Sequence, residues 1–160
     1  TFIYAYLLGA GDAKAGQIIG GTSKDGRNLK ATFLDSLPAL AALKERAVKA
    51  AKRGYMIGLD GRRIHIKSAH HSLSAYLQGG ETILMRLAMV NAYKEARQRN
   101  LDAHQVGIIH DEFQWDCHKD VAEDVKELLC RHIIKAGEIL KTKCPMDADG
   151  SIGYSWAETH

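Results

Sequence analysis

The sequence predicts an α/β fold of the α+β kind. Helices carry most of the length, and a small antiparallel sheet is flanked by long helices. Three observations lead there. Residues 55–67 alternate in character around Leu59-Asp60-Gly61-Arg62, and Asp-Gly between apolar neighbours signals a hairpin. A second apolar run breaks at His110-Asp111-Glu112 and restarts as an alternating one. Two longer stretches, 69–99 and 120–141, repeat apolar residues at helical spacing.

The elements follow in order. Residues 1–8 read as the end of a helix, stopped by Gly9 and Gly11. A short helix covers Ala13 to Ile19 and ends at Gly20-Gly21; Thr22 to Asn28 reads as a polar loop. Leu29 to Lys52 reads as helix, interrupted at Pro38, which suits the first turn of a new helix. Leu40, Leu43, Ala47 and Ala50 keep the period there. After the first hairpin, a helix from Ala69 to Arg99 buries Leu73, Leu77, Leu84 and Leu87. The next hairpin is expected to lift His110, Asp111 and Glu112 off the end of a buried strand pair. Asp120 to Lys141 forms an amphipathic helix with Val121, Val125, Leu128, His132, Ile133, Ala136 and Ile139 inward. The tail from Cys144 to Trp156 turns at Asp147, Asp149 and Gly150 and finishes as a strand. A weak boundary lies near residues 65–70, and no repeat is present.

At 160 residues the chain can bury one core or two small ones, and its 46% hydrophobic and 26% charged residues are ordinary for a globular protein. No run approaches the ~18–20 apolar residues that span a bilayer, so a membrane span is not expected, and no basic segment followed by an apolar one opens the chain, so secretion is not expected. Cys117, Cys130 and Cys144 lack CxxC spacing, which argues against a disulfide framework or a zinc site and fits a reducing cytoplasm. Charge is uneven. Residues 44–67 hold eight Lys/Arg against Glu45 and Asp60, whereas residues 101–160 hold twelve Asp/Glu against six Lys/Arg. The basic middle suits either a phosphate backbone or a solvated helix face.

Three groups of residues could carry chemistry. A carboxylate held at a hairpin tip, as Asp111 is, suits a divalent cation, and Glu112 beside it could help only if the turn rotates it; a solvated acidic turn is the plain alternative. Tyr4 could stack on a base or ribose, or fill a core. His70, Ser74 and Gln78 recur at i, i+4, i+8 and form either a solvent face or, beside Gly79-Gly80, a stripe against a duplex.

Taken together, Thr1-Phe2-Ile3-Tyr4-Ala5-Tyr6-Leu7-Leu8-Gly9-Ala10-Gly11 and Ile109-His110-Asp111-Glu112-Phe113-Gln114 resemble two signature motifs of A-family (polymerase I-like) DNA polymerases of the phage replicative type. The resemblance covers nearly the whole chain in order. It implies a right-hand polymerase fold, with residues 1–65 the C-terminal part of the fingers and 66–160 that of the palm. The fingers would close over the nucleotide as a lid. It makes Asp111 a metal ligand and catalytic, Glu112 a supporting carboxylate, and His110 a contact to the primer end. Tyr4 matches the aromatic against the incoming nucleotide's sugar, and Gly9 the glycine that follows it at the helix end. Leu8 stands where the family has a tyrosine and cannot stack or donate, which weakens template positioning there. Gln78 matches the glutamine that reads the minor groove beside the primer end, with His70 and Ser74 near it; Ser74 stands where an asparagine is usual. Minor-groove acceptors recur in every base pair, so one donor tests pair geometry without reading sequence.

The implied reaction is DNA-directed nucleotidyl transfer to a primer 3′-OH with two Mg²⁺. The partners are primer-template DNA, deoxynucleoside triphosphates and an N-terminal polymerase fragment. That fragment would carry the rest of the palm, the thumb and any 3′–5′ exonuclease, together with the second catalytic Asp and the triphosphate-binding Arg and Lys. Thr1 inside an active-site motif fits the residue downstream of a trans-splicing split intein, with a two-piece enzyme or proteolysis as alternatives. Tyr154 to His160 resembles the family's terminal segment and suggests that His160 ends the protein. Two rivals stay open: a non-catalytic nucleic-acid-binding or assembly module with the same fold, and an unrelated metal-dependent nuclease using Asp111 and Glu112.

Overall fold

A computed structural model describes residues 1–159. The helices and two separate antiparallel hairpins match the predicted α+β class. The chain divides into two compact units, Thr1–Gly80 and Glu81 onward, and the division falls inside the longest helix.

The first unit opens with four helices: α1 (Phe2–Leu7), α2 (Asp12–Ile18), α3 (Ser23–Ser36) and α4 (Pro38–Ala51). α1 stops because Gly9 takes φ +91°, which L residues rarely adopt, and Ala10 N–H then donates back to Ala5 C=O at 2.8 Å. Ser23–Asn28 is helical, with Thr22 as its cap, contrary to the expected loop over Thr22–Asn28. A capping box starts α3: Asp25 N–H donates to Thr22 Oγ1 at 3.4 Å, and Thr22 N–H donates to Asp25 Oδ2 at 2.7 Å. Two glycines let α2 and α3 touch through backbone. A Cβ on Gly26 would lie 2.1 Å from the Asp12 carbonyl oxygen, and one on Gly16 would lie 2.0 Å from that of Thr22. Pro38 separates α3 from α4, as expected.

Strands β1 (Tyr55–Ile57) and β2 (Arg63–His65) pair antiparallel, closed by Gly58 N–H donating to Arg62 C=O at 2.8 Å, with Gly61 at φ +84°. Met56 joins Ala47, Ala50 and Ile66 in a small core, with Tyr76 packed against it. A 3-10 turn (Ala69–His71) leads into α5 (Ser72–Gln98). Leu73 and Leu84 are buried on α5 as expected and Leu87 half-buried, but Leu77 is exposed. Gly79 replaces it as the packing position: a Cβ there would meet the Ile64 side chain at 2.5 Å.

The second unit holds the rest of α5, strands β3 (Ala103–Ile109) and β4 (Glu112–Cys117), and α6 (Ala122–Ile139). Two apolar clusters hold it. Leu84, Met85, Ala88 and Ala136 collect Phe113 and Ile133, and Ala92, Ala96 and Leu128 collect Trp115 and Leu101. Phe113 and Trp115 therefore turn one face of β4 inward, which leaves Glu112, Gln114 and Asp116 on the other. The strand pair is not the buried one expected. Val106, Ile108 and Ile109 are exposed, because Val106 sits at a register shift and Ile109 lies opposite Glu112 on the outward face. On α6 the inward set holds at Val125, Leu128, His132 and Ala136, but Ile139 is exposed at the last position. The tail forms no strand among the described residues; it ends in a 3-10 turn, Trp156–Glu158. The expectation for His160 lies outside the described residues. No helix among them is long and apolar enough to cross a membrane.

Candidate active site

Asp111 owes its position to register. Ile109 pairs with Glu112, so only His110 and Asp111 connect β3 to β4. A two-residue connection matches the twist of the strands when its first residue has positive φ, and His110 supplies that at φ +53°. The Asp111 side chain is exposed at the tip and makes no hydrogen bond or ion pair among the described residues. Glu112 is the first residue of β4 and half-buried. Gln114, two residues on and on the same face, donates its Nε2 to Glu112 Oε1. The tip is fixed from below by Phe113, which packs into the α5–α6 core.

A single exposed carboxylate is a hard oxygen donor of the kind Mg²⁺ takes. Among the described residues no three His, Cys, Asp or Glu side chains stand close enough together to hold a metal ion.

The first unit brings together another part of the predicted set. α1 is pinned by an aromatic cluster in which Phe33 meets Phe2 at 5.3 Å and Tyr6 at 5.2 Å between centroids. Lys44 on α4 donates to Tyr6 Oη at 3.1 Å and lies 5.1 Å from its ring centroid. With that face fixed, Tyr4 is turned outward and is 72% exposed, and Leu8 is 55% exposed. Gly9 packs against the 3-10 turn: a Cβ there would meet the carbonyl of His70 at 3.7 Å and the His71 ring at 3.6 Å. The same segments line a cavity of about 240 Å³ that includes Tyr6, Gly9, Lys30, Lys44, His70 and Ser74.

The stripe of His70, Ser74 and Gln78 does not form one exposed face. His70 lies in the 3-10 turn before α5 and is exposed. Ser74 is 7% exposed, with its hydroxyl donating to His71 C=O at 3.1 Å. Gln78 is exposed on α5. His70 therefore precedes the helix, and the two members on α5 differ in burial.

The structure adds a site that periodicity did not suggest. Arg53 and Arg63 lie 5.4 and 4.8 Å from the Tyr55 ring centroid. Neither has a carboxylate partner among the described residues, whereas Arg62 is paired with Asp60 at 2.6 Å. Tyr55, Arg63 and His65 share one face of the hairpin through the pairing Tyr55–His65 and Ile57–Arg63. The Lys/Arg count of residues 44–67 gave the sign of this surface but not the ring at its centre.

The POL domain of Pol1 from M. smegmatis, solved in a complex with DNA primer-template and dNTP, superposes with TM-score 0.73 at 18% identity, over 84% of this chain and 26% of that one. The family model for DNA polymerase family A matches residues 1–158, and the chain belongs to that family. The DNA-directed DNA polymerase of Escherichia phage Phieco32 is 36% identical over all of this chain and 27% of its own length. That of Escherichia phage T7 is 31% identical over all of this chain and 26% of its own. DNA polymerase I of Aquifex aeolicus is 27% identical over 91% of this chain. The chain spans about a quarter of the length of these relatives.

Proposed function

We propose that this chain is the fingers (1–65) and palm (66–160) part of a DNA-directed DNA polymerase. It would add deoxynucleotides to a primer 3′-OH only when joined by a segment supplying a second catalytic Asp and the triphosphate-binding Arg and Lys. The observation that carries the reading is Asp111: an unpaired carboxylate on a two-residue tip, braced by Phe113, within a family A chain.

Two Mg²⁺ ions, shared between Asp111 and the upstream Asp, would neutralise charge on the attacking and leaving oxygens. The chain's own residues do the rest by position. Tyr4 presents its ring to the sugar of the incoming nucleotide, at a helix end shaped by Leu8 and Gly9. His110, beside Asp111, contacts the primer terminus, and Glu112 supports the ligand. Gln78 donates to minor-groove acceptors of the terminal pair, with His70 nearby and Ser74 holding the start of α5. The Arg53–Tyr55–Arg63 face meets DNA phosphates.

The test is Mg²⁺-dependent primer extension by this chain with and without the upstream segment, in wild-type and Asp111→Ala forms. Extension by the mixture alone, abolished by Asp111→Ala at unchanged DNA affinity, is the expected result. Extension that survives the substitution refutes the metal assignment, and DNA binding without extension in any mixture favours the non-catalytic binding module.

A further inference from the structure

We propose that Gln114 is a positioning residue for the reaction: its side-chain amide holds the Glu112 carboxylate in place beside Asp111. The inference rests on the polymerase reading above. Residues 112 and 114 stand on the same face of β4, and the face is defined by its opposite, since Phe113 and Trp115 point into the core. Gln114 Nε2 donates to Glu112 Oε1. Directly across the ladder from Gln114 is Gly107, which has no side chain to compete for the amide. Directly across from Glu112 is Ile109, which is apolar. The register therefore leaves the amide facing along the strand toward the tip.

A glutamate turns about three side-chain torsions, and each contact on its carboxylate removes some of the positions it can visit. Hydrogen bonds to a carboxylate near a metal limit that freedom and orient its lone pairs. A glutamine suits the task because its amide donates without adding charge, so the site keeps the negative charge that divalent cations need. The sheet itself would accept an apolar or β-branched residue at 114 as well, which separates this role from a merely structural one.

Two readouts test it. In the ¹⁵N-labelled chain, the Gln114 side-chain amide should shift when Glu112→Ala removes its acceptor, while the backbone amides of Phe113 and Trp115 hold their positions. In the extension-competent mixture, Gln114→Ala should lower kcat by about 10- to 100-fold, the usual effect of losing a group that orients a metal-site ligand. KM for the nucleotide and Kd for DNA should be unchanged. In a Glu112→Ala background the same substitution should add less than about twofold, because the two side chains act as one unit. An unshifted amide, or rate losses that multiply independently while Asp111→Ala remains inactive, overturns the positioning role alone. Extension that survives Asp111→Ala overturns the polymerase reading and this role with it.

Discussion

Replacing Glu95 by alanine removes the acceptor on which two neighbouring α6 side chains converge. His132 Nε2 lies 2.9 Å from Glu95 Oε2, and Arg131 donates to Oε1. Arg99 stands 3.7 Å from the same carboxylate. The histidine carries most of the cost. Its side chain is 8% exposed and its other ring nitrogen, Nδ1, has no hydrogen-bond partner. Without Glu95 both ring nitrogens are left unsatisfied, and an unsatisfied buried polar group costs about 1–3 kcal/mol. The two arginines are partly solvated and contribute little each. Glu95→Ala should therefore lower stability by about 2 kcal/mol at pH 7. Both tryptophans, Trp115 and Trp156, belong to the unit beginning at Glu81, so tryptophan fluorescence in urea follows that unit alone. The pH dependence adds a second check. The hydrogen bond from His132, with the charge of Arg131, holds the Glu95 carboxyl below its ordinary value of 4.5. A carboxyl lowered on folding stabilises above its unfolded pKa, and that stability is lost as pH falls through the folded pKa. The gap between wild type and variant should narrow as pH falls below 4.5. Coincident urea midpoints at pH 7, or a gap that widens in acid, refute the reasoning.

Gly26→Ala places a methyl 2.1 Å from the Asp12 carbonyl oxygen. Backbone cannot yield as a side chain can, so a loss of about 1–3 kcal/mol or more is expected in thermal melts followed by circular dichroism; an unchanged midpoint would sink the close contact of α2 and α3. Lys44→Met leaves the buried Tyr6 hydroxyl without its partner and should cost about 1–2 kcal/mol, part of which Tyr6→Phe recovers. Additive losses in the urea-unfolding cycle would show that the pair is not coupled. Arg53→Ala with Arg63→Ala should lower primer-template affinity and flatten its salt dependence by about two units of log–log slope. A slope equal to wild type would remove the Arg53–Tyr55–Arg63 face from the DNA path.

What could be read from sequence was whatever depends on neighbours in the chain. The Asp60-Gly61 hairpin, the Pro38 break and the helix from residue 69 onward stand where periodicity and turn chemistry put them. The tip at Asp111 was legible for the same reason, since His110-Asp111-Glu112 breaks an apolar run that restarts as an alternating one. Some errors were local, and others arose where distant residues decide. Thr22–Asn28 looked like loop by composition, although Thr22 and Asp25 stand at capping-box spacing. Leu77 and Ile139 kept the helical period but face outward, because Gly79 packs on Ile64 in one case and the helix ends in the other. The Glu95–His132 contact joins residues 37 positions apart, and no local pattern encodes it.

The second hairpin shows how one strand can serve the core and still present the proposed site. The alternation along β4 gives each face one task. Phe113 and Trp115 are held by α5 and α6, so the backbone between them cannot slide or roll without opening two apolar clusters. Glu112 and Gln114 inherit that rigidity on the outward face without being buried by it. Asp111 gains the rest from the turn, where the positive φ of His110 allows the shortest connection and leaves no slack in the backbone. A longer loop would carry the same carboxylate at the same exposure, but its position would vary by more than a shared metal site tolerates. Precision at the tip is therefore a property of the core beneath it. A cavity-forming change at Phe113 should slow the proposed reaction even though the ring touches neither metal nor substrate.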